Sequence, residues 1–273
     1  MPILNKDMQL CISLSARPSN IGTRFHNYLY DELGLNFIYK AFATDDIEGA
    51  VRGIRALKIR GAAISMPFKE AVIPLVDELA ESAKAIDSVN TIVNSDGFLI
   101  AYNTDYQAVV DVLKSHRVDA SSSVLVRGSG GMAKAVVAAF RDSGFTSLTI
   151  ASRNQKTGES LAKKYGFIWV SETEIPNLRD VEVLVNVTPI GMSGGNEGEL
   201  SFPEPLIASA RVLFEVVAMP VETPLIKAGI NHGKEIITGL EIMALQAAIQ
   251  FELYTGVALT DDQVSRAAAF SRL

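Results

Sequence analysis

The sequence has a single cysteine, Cys11, so no internal disulfide can form and no pair of thiols is present to hold a metal. Apolar neighbours mark Cys11 as a buried structural thiol rather than a nucleophile. Histidine is also scarce. His26, His116 and His232 are scattered, and no C-x-x-C or H-E-x-x-H spacing occurs, so no metal is expected. No serine lies in a G-x-S-x-G elbow, which removes the common serine-hydrolase arrangement. Apolar runs stay too short to span a bilayer. Met1 to Asp7 lacks the basic and then apolar layout of a signal peptide. With net charge −6, the chain lacks the basic face that nucleic-acid phosphates require. These absences predict a cytoplasmic protein with a small-molecule partner, no nucleic acid and no membrane. No heptad or apolar patch sets an oligomeric state.

What is present is ordinary globular composition, 48% hydrophobic and 21% charged over 273 residues. That length suits one large or two medium domains. Strand and helix patterns alternate. Residues 10–14 read as a strand, and 23–33 as an amphipathic helix stopped by Gly34. Residues 37–42 read as a second strand. Thr44-Asp45-Asp46 caps a helix over 47–54, and 61–65 read as a third strand buried on both faces. The alternation predicts an α/β fold with a mostly parallel sheet covered by helices.

The densest signal is Val124-Leu125-Val126-Arg127-Gly128-Ser129-Gly130-Gly131-Met132-Ala133. It reads as a short strand, a glycine turn and a helix start. Gly128 permits the tight turn, Gly130 lets backbone approach a pyrophosphate, and Ala133 lets helix and strand pack closely. The helix N-terminus then offers free N–H groups and a positive dipole end. The next strand, 147–151, runs into Ser152-Arg153-Asn154, with Lys156 beyond. No acid stands there for a ribose 2′-hydroxyl, whereas Arg153 suits a 2′-phosphate. The predicted cofactor is NADP rather than NAD.

This turn sits near the middle of the chain, so about a hundred residues form a domain of their own before it. The expected layout is an N-terminal α/β substrate and catalytic domain at 1–104 and a Rossmann-type NADP domain at 105–238, with a cleft between them. Helices at 239–273 are expected to return to the first domain, the main one ending at Gly256.

Hydride transfer from a hydroxyl needs a proton acceptor beside that hydroxyl. Ser65-Met66-Pro67-Phe68-Lys69 follows the buried third strand, and Tyr102-Asn103-Thr104-Asp105 closes the first domain. Taken alone, Lys69 reads as a surface lysine. Beside Asp105 it becomes a base candidate, because the carboxylate orients the ammonium and desolvation tunes its basicity.

With Ser65 to Lys69, Ser88-Val89-Asn90-Thr91, Asn103-Thr104-Asp105, the glycine turn, Asn186-Val187-Thr188-Pro189-Ile190-Gly191-Met192, Thr223-Pro224 and the 239–250 helix, the chain resembles the shikimate dehydrogenase family nearly end to end. It is most similar to the shikimate-dehydrogenase-like branch. The resemblance implies reversible NADP-dependent oxidation of the 3-hydroxyl of shikimate to 3-dehydroshikimate. It implies Lys69 and Asp105 as the catalytic pair, and Ser65, Asn90 and Gln246 on the substrate. It places Gly128, Ser129, Gly130, Gly131 and Met132 at the pyrophosphate, Ser152 and Arg153 at the 2′-phosphate, Thr188 near the cofactor and Gly239 near the nicotinamide.

Two places depart from the family pattern. The Ser-x-Ser that holds the substrate carboxylate falls on Asn20-Ile21-Gly22, ahead of His26-Asn27. Substitutes nearby are Ser13, Ser15, Ser19, Arg17 and Arg24. The family's Asp and Tyr before Thr-Pro become Glu215 and Ala218. Losing a buried polar contact costs about 1–3 kcal/mol, so weak activity on shikimate is expected, or a preference for quinate or a related hydroxy acid. An NADP-binding sensor without efficient catalysis is the reading from another class. His26 is expected to be a structural helix residue with a hydrogen bond rather than a base.

Overall fold

A computed structural model describes residues 4–273. It divides into two compact units, one made of the chain through Thr104 together with Ala244–Leu273, the other of Asp105–Met243.

The first unit contains β1 (Gln9–Ser15), α1 (Ile21–Glu32), β2 (Phe37–Ala43), α2 (Ile47–Ala56), β3 (Gly61–Ile64), β4 (Glu78–Leu79), α3 (Glu81–Lys84), β5 (Thr91–Ser95) and β6 (Phe98–Tyr102). The start of α2 follows the capping signal: Asp46 accepts from the Gly49 N–H at 2.7 Å. The strands form one sheet in the order β2-β1-β3-β5-β6-β4. Its parallel half matches the expected alternation. The other half does not, because β5 runs antiparallel to both β3 and β6. The cause is a two-residue hairpin at Asp96-Gly97, with φ of 51° and 93°. Asp-Gly is a strong signal for a turn that needs positive φ at both positions.

The chain passes through α4 (Thr104–Ser115) into the second unit. There follow β7 (Val124–Arg127), α5 (Gly131–Asp142), β8 (Leu148–Ser152), α6 (Gln155–Tyr165), β9 (Ile168–Ser171), β10 (Val183–Asn186), α7 (Glu204–Ser209), β11 (Val212–Glu215), α8 (Pro224–Asn231) and β12 (Glu235–Ile237). The sheet is parallel throughout, in the order β12-β11-β10-β7-β8-β9. Counted from β7, that is the 3-2-1-4-5-6 order of a dinucleotide-binding fold. Residues 135–140 of α5 are almost wholly buried, because small Ala133 and Ala135 let the helix settle onto the sheet.

The chain then forms α9 (Gly239–Thr255) and α10 (Asp261–Ser271). From Ala244 onward these belong to the first unit. Phe251 and Tyr254 enter its core beside Cys11, Phe25, Tyr30 and Tyr39. Arg60 fastens the end of α9, donating to the carbonyls of Tyr254 and Leu253 at 2.9 and 3.3 Å and to that of Asn94 at 2.8 Å. A cation at a helix C-terminus also offsets its negative dipole end.

Cys11 is fully buried, and burial pushes its thiol up to about 12, so it is inert. His26 differs from expectation. It is fully buried, and although the Gln250 side chain of α9 lies near enough to raise its pKa slightly, no partner among the described residues meets its ring nitrogens at full hydrogen-bond geometry. The ring stacks on Tyr39 instead, with centroids 4.5 Å apart and planes 8° off parallel. Burial pushes its pKa down to about 3, so it sits neutral in an aromatic cage.

Candidate functional site

The second unit carries a nucleotide cradle. Gly128 has φ +122°, and a Cβ there would lie 2.9 Å from Val187 Cγ2, so no other residue fits. Gly130 caps α5, with nothing within 4 Å of where its Cβ would stand. Gly131 and Met132 open the helix, whose first turn holds no acid. Ser129 meets Thr157 of α6 hydroxyl to hydroxyl at 2.7 Å, which ties the glycine loop to the next helix. A cavity of about 400 Å³ opens here, bordered by Gly128, Ser129, Arg153 and Thr188. These are the features a pyrophosphate needs, and the donor set fits NADP.

Arg153 is exposed, as is Lys156, and neither has an ion-pair partner among the described residues. They flank the start of α6, where Asn154 accepts from the Thr157 N–H at 3.1 Å. Ser152 behaves differently from Arg153. It is buried, its hydroxyl donates to the Asn154 carbonyl at 3.1 Å, and it accepts from Trp169 Nε1 at 3.0 Å. Its side chain braces the loop, and both it and Arg153 line the cavity. One acid escaped the sequence reading. β9 pairs with β8 at Ser152 and Ser171, which brings Glu172 to the cavity, where Arg127 holds it at 3.4 Å. The acid follows the third strand of the unit rather than the second, so strand-end spacing does not reveal it.

Thr188 is placed by a relay. Its N–H and hydroxyl both donate to Asn186 Oδ1, at 3.1 and 2.7 Å, and Asn186 Nδ2 donates to Glu215 at 2.9 Å. Gly239 starts α9. A Cβ on it would lie 2.4 Å from the Val216 carbonyl, so glycine alone allows this close approach.

The first unit holds a polar constellation built from distant segments. The Val89 N–H donates to the Lys69 carbonyl at 2.8 Å, which sets the Lys69 loop beside Asn90. Asn90 is buried. Its Oδ1 accepts from the Thr104 N–H at 2.8 Å and from Thr91 at 2.9 Å, while its Nδ2 donates to Thr104 Oγ1 at 3.0 Å. Thr104 in turn donates to Gln246 at 3.3 Å, and Gln250 donates to Thr91 at 2.8 Å. Asp105 follows Thr104 directly in α4. Lys69 and Asp105 are both half-buried. Ser65 is exposed after β3, its N–H bonded to the Leu14 carbonyl at 2.9 Å. Asn90 is therefore a structural hub, with one Nδ2 hydrogen left over. Its neighbours Thr104 and Gln250 carry no local signal in the sequence, since both come from distant segments.

Asn20 stands exposed at the N-cap of α1 without a side-chain capping bond. At Gly22 a Cβ would stand 3.4 Å from the Tyr39 hydroxyl. Of the alternatives, Ser15 is buried at the end of β1, and Arg24 is half-buried in the first turn of α1 with no ion-pair partner among the described residues.

Strand order and the glycine turn into α5 define a dinucleotide-binding α/β fold. Comparison with known proteins narrows this. The shikimate dehydrogenase substrate binding domain matches residues 19–92. A shikimate dehydrogenase-like protein of Haemophilus influenzae is 56% identical over 271 residues, 99% of each chain. A shikimate dehydrogenase (NADP(+)) of Pyrococcus abyssi is 34% identical over 249 residues, 91% of this chain and 92% of that one. The solved structure of shikimate 5-dehydrogenase from Thermus thermophilus, in complex with NADP(H) and shikimate, matches with TM-score 0.86 at 26% identity, covering 97% of this chain and all of that one. The chain belongs to the shikimate dehydrogenase family, NADP-dependent oxidoreductases that act on CH–OH groups. No helix among the described residues is long and apolar enough to cross a membrane.

Proposed function

We propose that this chain oxidises a ring hydroxyl of a cyclic hydroxy acid of the shikimate type, reversibly and with NADP. Arg153 and Lys156 carry the cofactor half of this reading. They are cations without an ion-pair partner among the described residues, at the strand end beside a glycine cradle, where a 2′-phosphate takes paired hydrogen bonds. When bound, NADP supplies the hydride acceptor. The backbone N–H groups at Gly130 and Gly131 hold its pyrophosphate, and Thr188 walls the pocket.

In the oxidation, the neutral Lys69 amine takes the hydroxyl proton as the carbon gives up its hydride. In the reduction, the ammonium returns that proton. Asp105 is the carboxylate of the proposed catalytic pair. The Val89–Lys69 and Asn90–Thr104 hydrogen bonds hold the two segments that bear them. Ser65 and Gln246 complete the substrate contacts. Asn20 and Gly22 replace the serines that grip the carboxylate elsewhere in the family, so binding of shikimate itself is weak. Arg24, an unpaired cation one turn after Asn20, is the charge best placed in sequence to answer an acid. Turnover of shikimate, quinate and related hydroxy acids with NADP and with NAD, followed by reduced-nicotinamide absorbance, tests this. Efficient turnover of shikimate contradicts the weak-carboxylate part, and no turnover of any ring hydroxy acid contradicts the whole.

A further inference from the structure

Glu215 ends β11 almost wholly buried, at 1% exposure. One oxygen accepts from Asn186 Nδ2 and from the Val217 N–H, both at 2.9 Å, and the other accepts from Thr223 Oγ1 at 3.0 Å. None of these partners carries a charge. On the elements packed around it, Lys227 of α8, Glu222 of the preceding loop and Glu235 of β12 are exposed and make no bond to it, and Arg127 of β7 is occupied by Glu172. Burial pushes the carboxyl up to about 7 in spite of its three donors. A buried carboxylate without a cation is costly, whereas a same-shaped neutral amide keeps the oxygen that Asn186 and Val217 meet and turns a donor toward the Thr223 hydroxyl.

Its place in the fold supplies a reason for the charge. A dinucleotide lies across the C-terminal ends of such a sheet, one half on each side of the point where strand order reverses, here between β7 and β10. Arg153 and Lys156 assign the adenosine half to the β8 side. The nicotinamide half then falls to the β10–β11–β12 side, where Glu215 lies. The loop that Glu215 holds through Val217 packs directly on Gly239, whose Cβ would stand 2.5 Å from the Val217 carbonyl. The oxidised nicotinamide ring is positive and the reduced ring neutral, whereas their phosphates are identical.

We propose that Glu215 sets the preference between the two redox states of the cofactor: its buried carboxylate, which has no cation of its own, favours the positive nicotinamide of NADP+ over the neutral ring of NADPH. The proposal rests on the NADP reading above. It follows that NADP+ displaces a proton from the site near neutral pH, and NADPH displaces less.

The test is calorimetric titration of the whole chain with NADP+ and with NADPH from about pH 6 to about pH 8, in buffers of different ionisation enthalpy. Glu215→Gln is titrated alongside. The 2′-phosphate is common to both cofactors and cancels in their ratio. In the wild type, the NADP+ to NADPH affinity ratio should rise about tenfold with pH, equal to about 1.4 kcal/mol, with extra proton release on NADP+ binding. In Glu215→Gln the ratio should be low and flat across the same pH range. A flat wild-type ratio overturns the proposal, as does a variant that loses both cofactors equally. If the variant does not fold, the wild-type proton release decides alone. A wild type that binds neither cofactor overturns the NADP reading itself, a result distinct from binding both with an unchanging ratio.

Discussion

Asn90 and Thr104 grip each other from both ends of the amide: Oδ1 accepts the Thr104 N–H at 2.8 Å while Nδ2 donates to the Thr104 hydroxyl at 3.0 Å. The pair joins the strand that follows the Lys69 loop to the first turn of α4, where Asp105 lies. Replacing Asn90 with Ala strands the buried Thr104 N–H, at about 1–3 kcal/mol. Chemical denaturation should show that loss, together with a fall in kcat. Asn90→Asp, which keeps the acceptor and loses the donor, should fall between.

Arg153→Ala should weaken NADP binding about tenfold to hundredfold, the scale of a charge-assisted hydrogen bond to phosphate. Affinity for NAD, which lacks the 2′-phosphate, should stay unchanged. Titration with both cofactors checks this, and an equal loss for both would remove the phosphate role.

Lys69→Ala should lower kcat about a hundredfold to ten-thousandfold, the usual worth of a positioned acid–base group. NADP affinity should be unaffected, because the cradle lies in the other unit. A variant that still turns over at wild-type rate would reassign the proton to another group.

Substituting Ala at Gly239 would force a Cβ to within 2.4 Å of the Val216 carbonyl and 2.5 Å of the Val217 carbonyl. Backbone on one side cannot swing away like a flexible side chain. The start of α9 must shift, and both thermal stability and NADP affinity should drop. Gly130→Ala meets open space and should leave thermal stability nearly unchanged, which separates steric from general glycine effects.

His116 lies between Glu235, 3.0 Å from Nδ1, and Glu241, 3.0 Å from Nε2. Burial alone would lower its pKa, but the bonds to Glu241 and Glu235 outweigh that and raise it above the usual histidine range. A raised folded pKa means that the stabilisation is complete below the unfolded pKa of about 6.5 and fades as pH climbs through the folded value. His116→Gln should therefore lower Tm at about pH 6 and matter much less at about pH 9. Equal losses at both would point to packing rather than charge.

The nucleotide half of the molecule was legible in the sequence because its signals are local. The turn at Gly128 and the strand end at Arg153 each depend on a few consecutive residues and a fixed backbone geometry. In the first unit the connections between residues carry no local signal. Thr104 reaches Gln246 across 142 positions, and no periodicity announces such a pairing. The antiparallel half of the first sheet has a local signal too, since Asp96-Gly97 is a turn with a mechanism of its own. The structural hydrogen bond expected of His26 gave way to aromatic stacking, because Phe25, Tyr30, Tyr39, Phe251 and Tyr254 converge on it from three separate elements.

The second unit is one unbroken stretch of chain, whereas the first borrows Phe251, Tyr254 and Ala267 from the far end. Order of synthesis therefore runs opposite to order of completion. A nascent chain can finish its nucleotide-binding half while the half made first still waits for its last two helices. Until they emerge, the apolar face that Cys11, Phe25 and Tyr39 present to α9 stays uncovered.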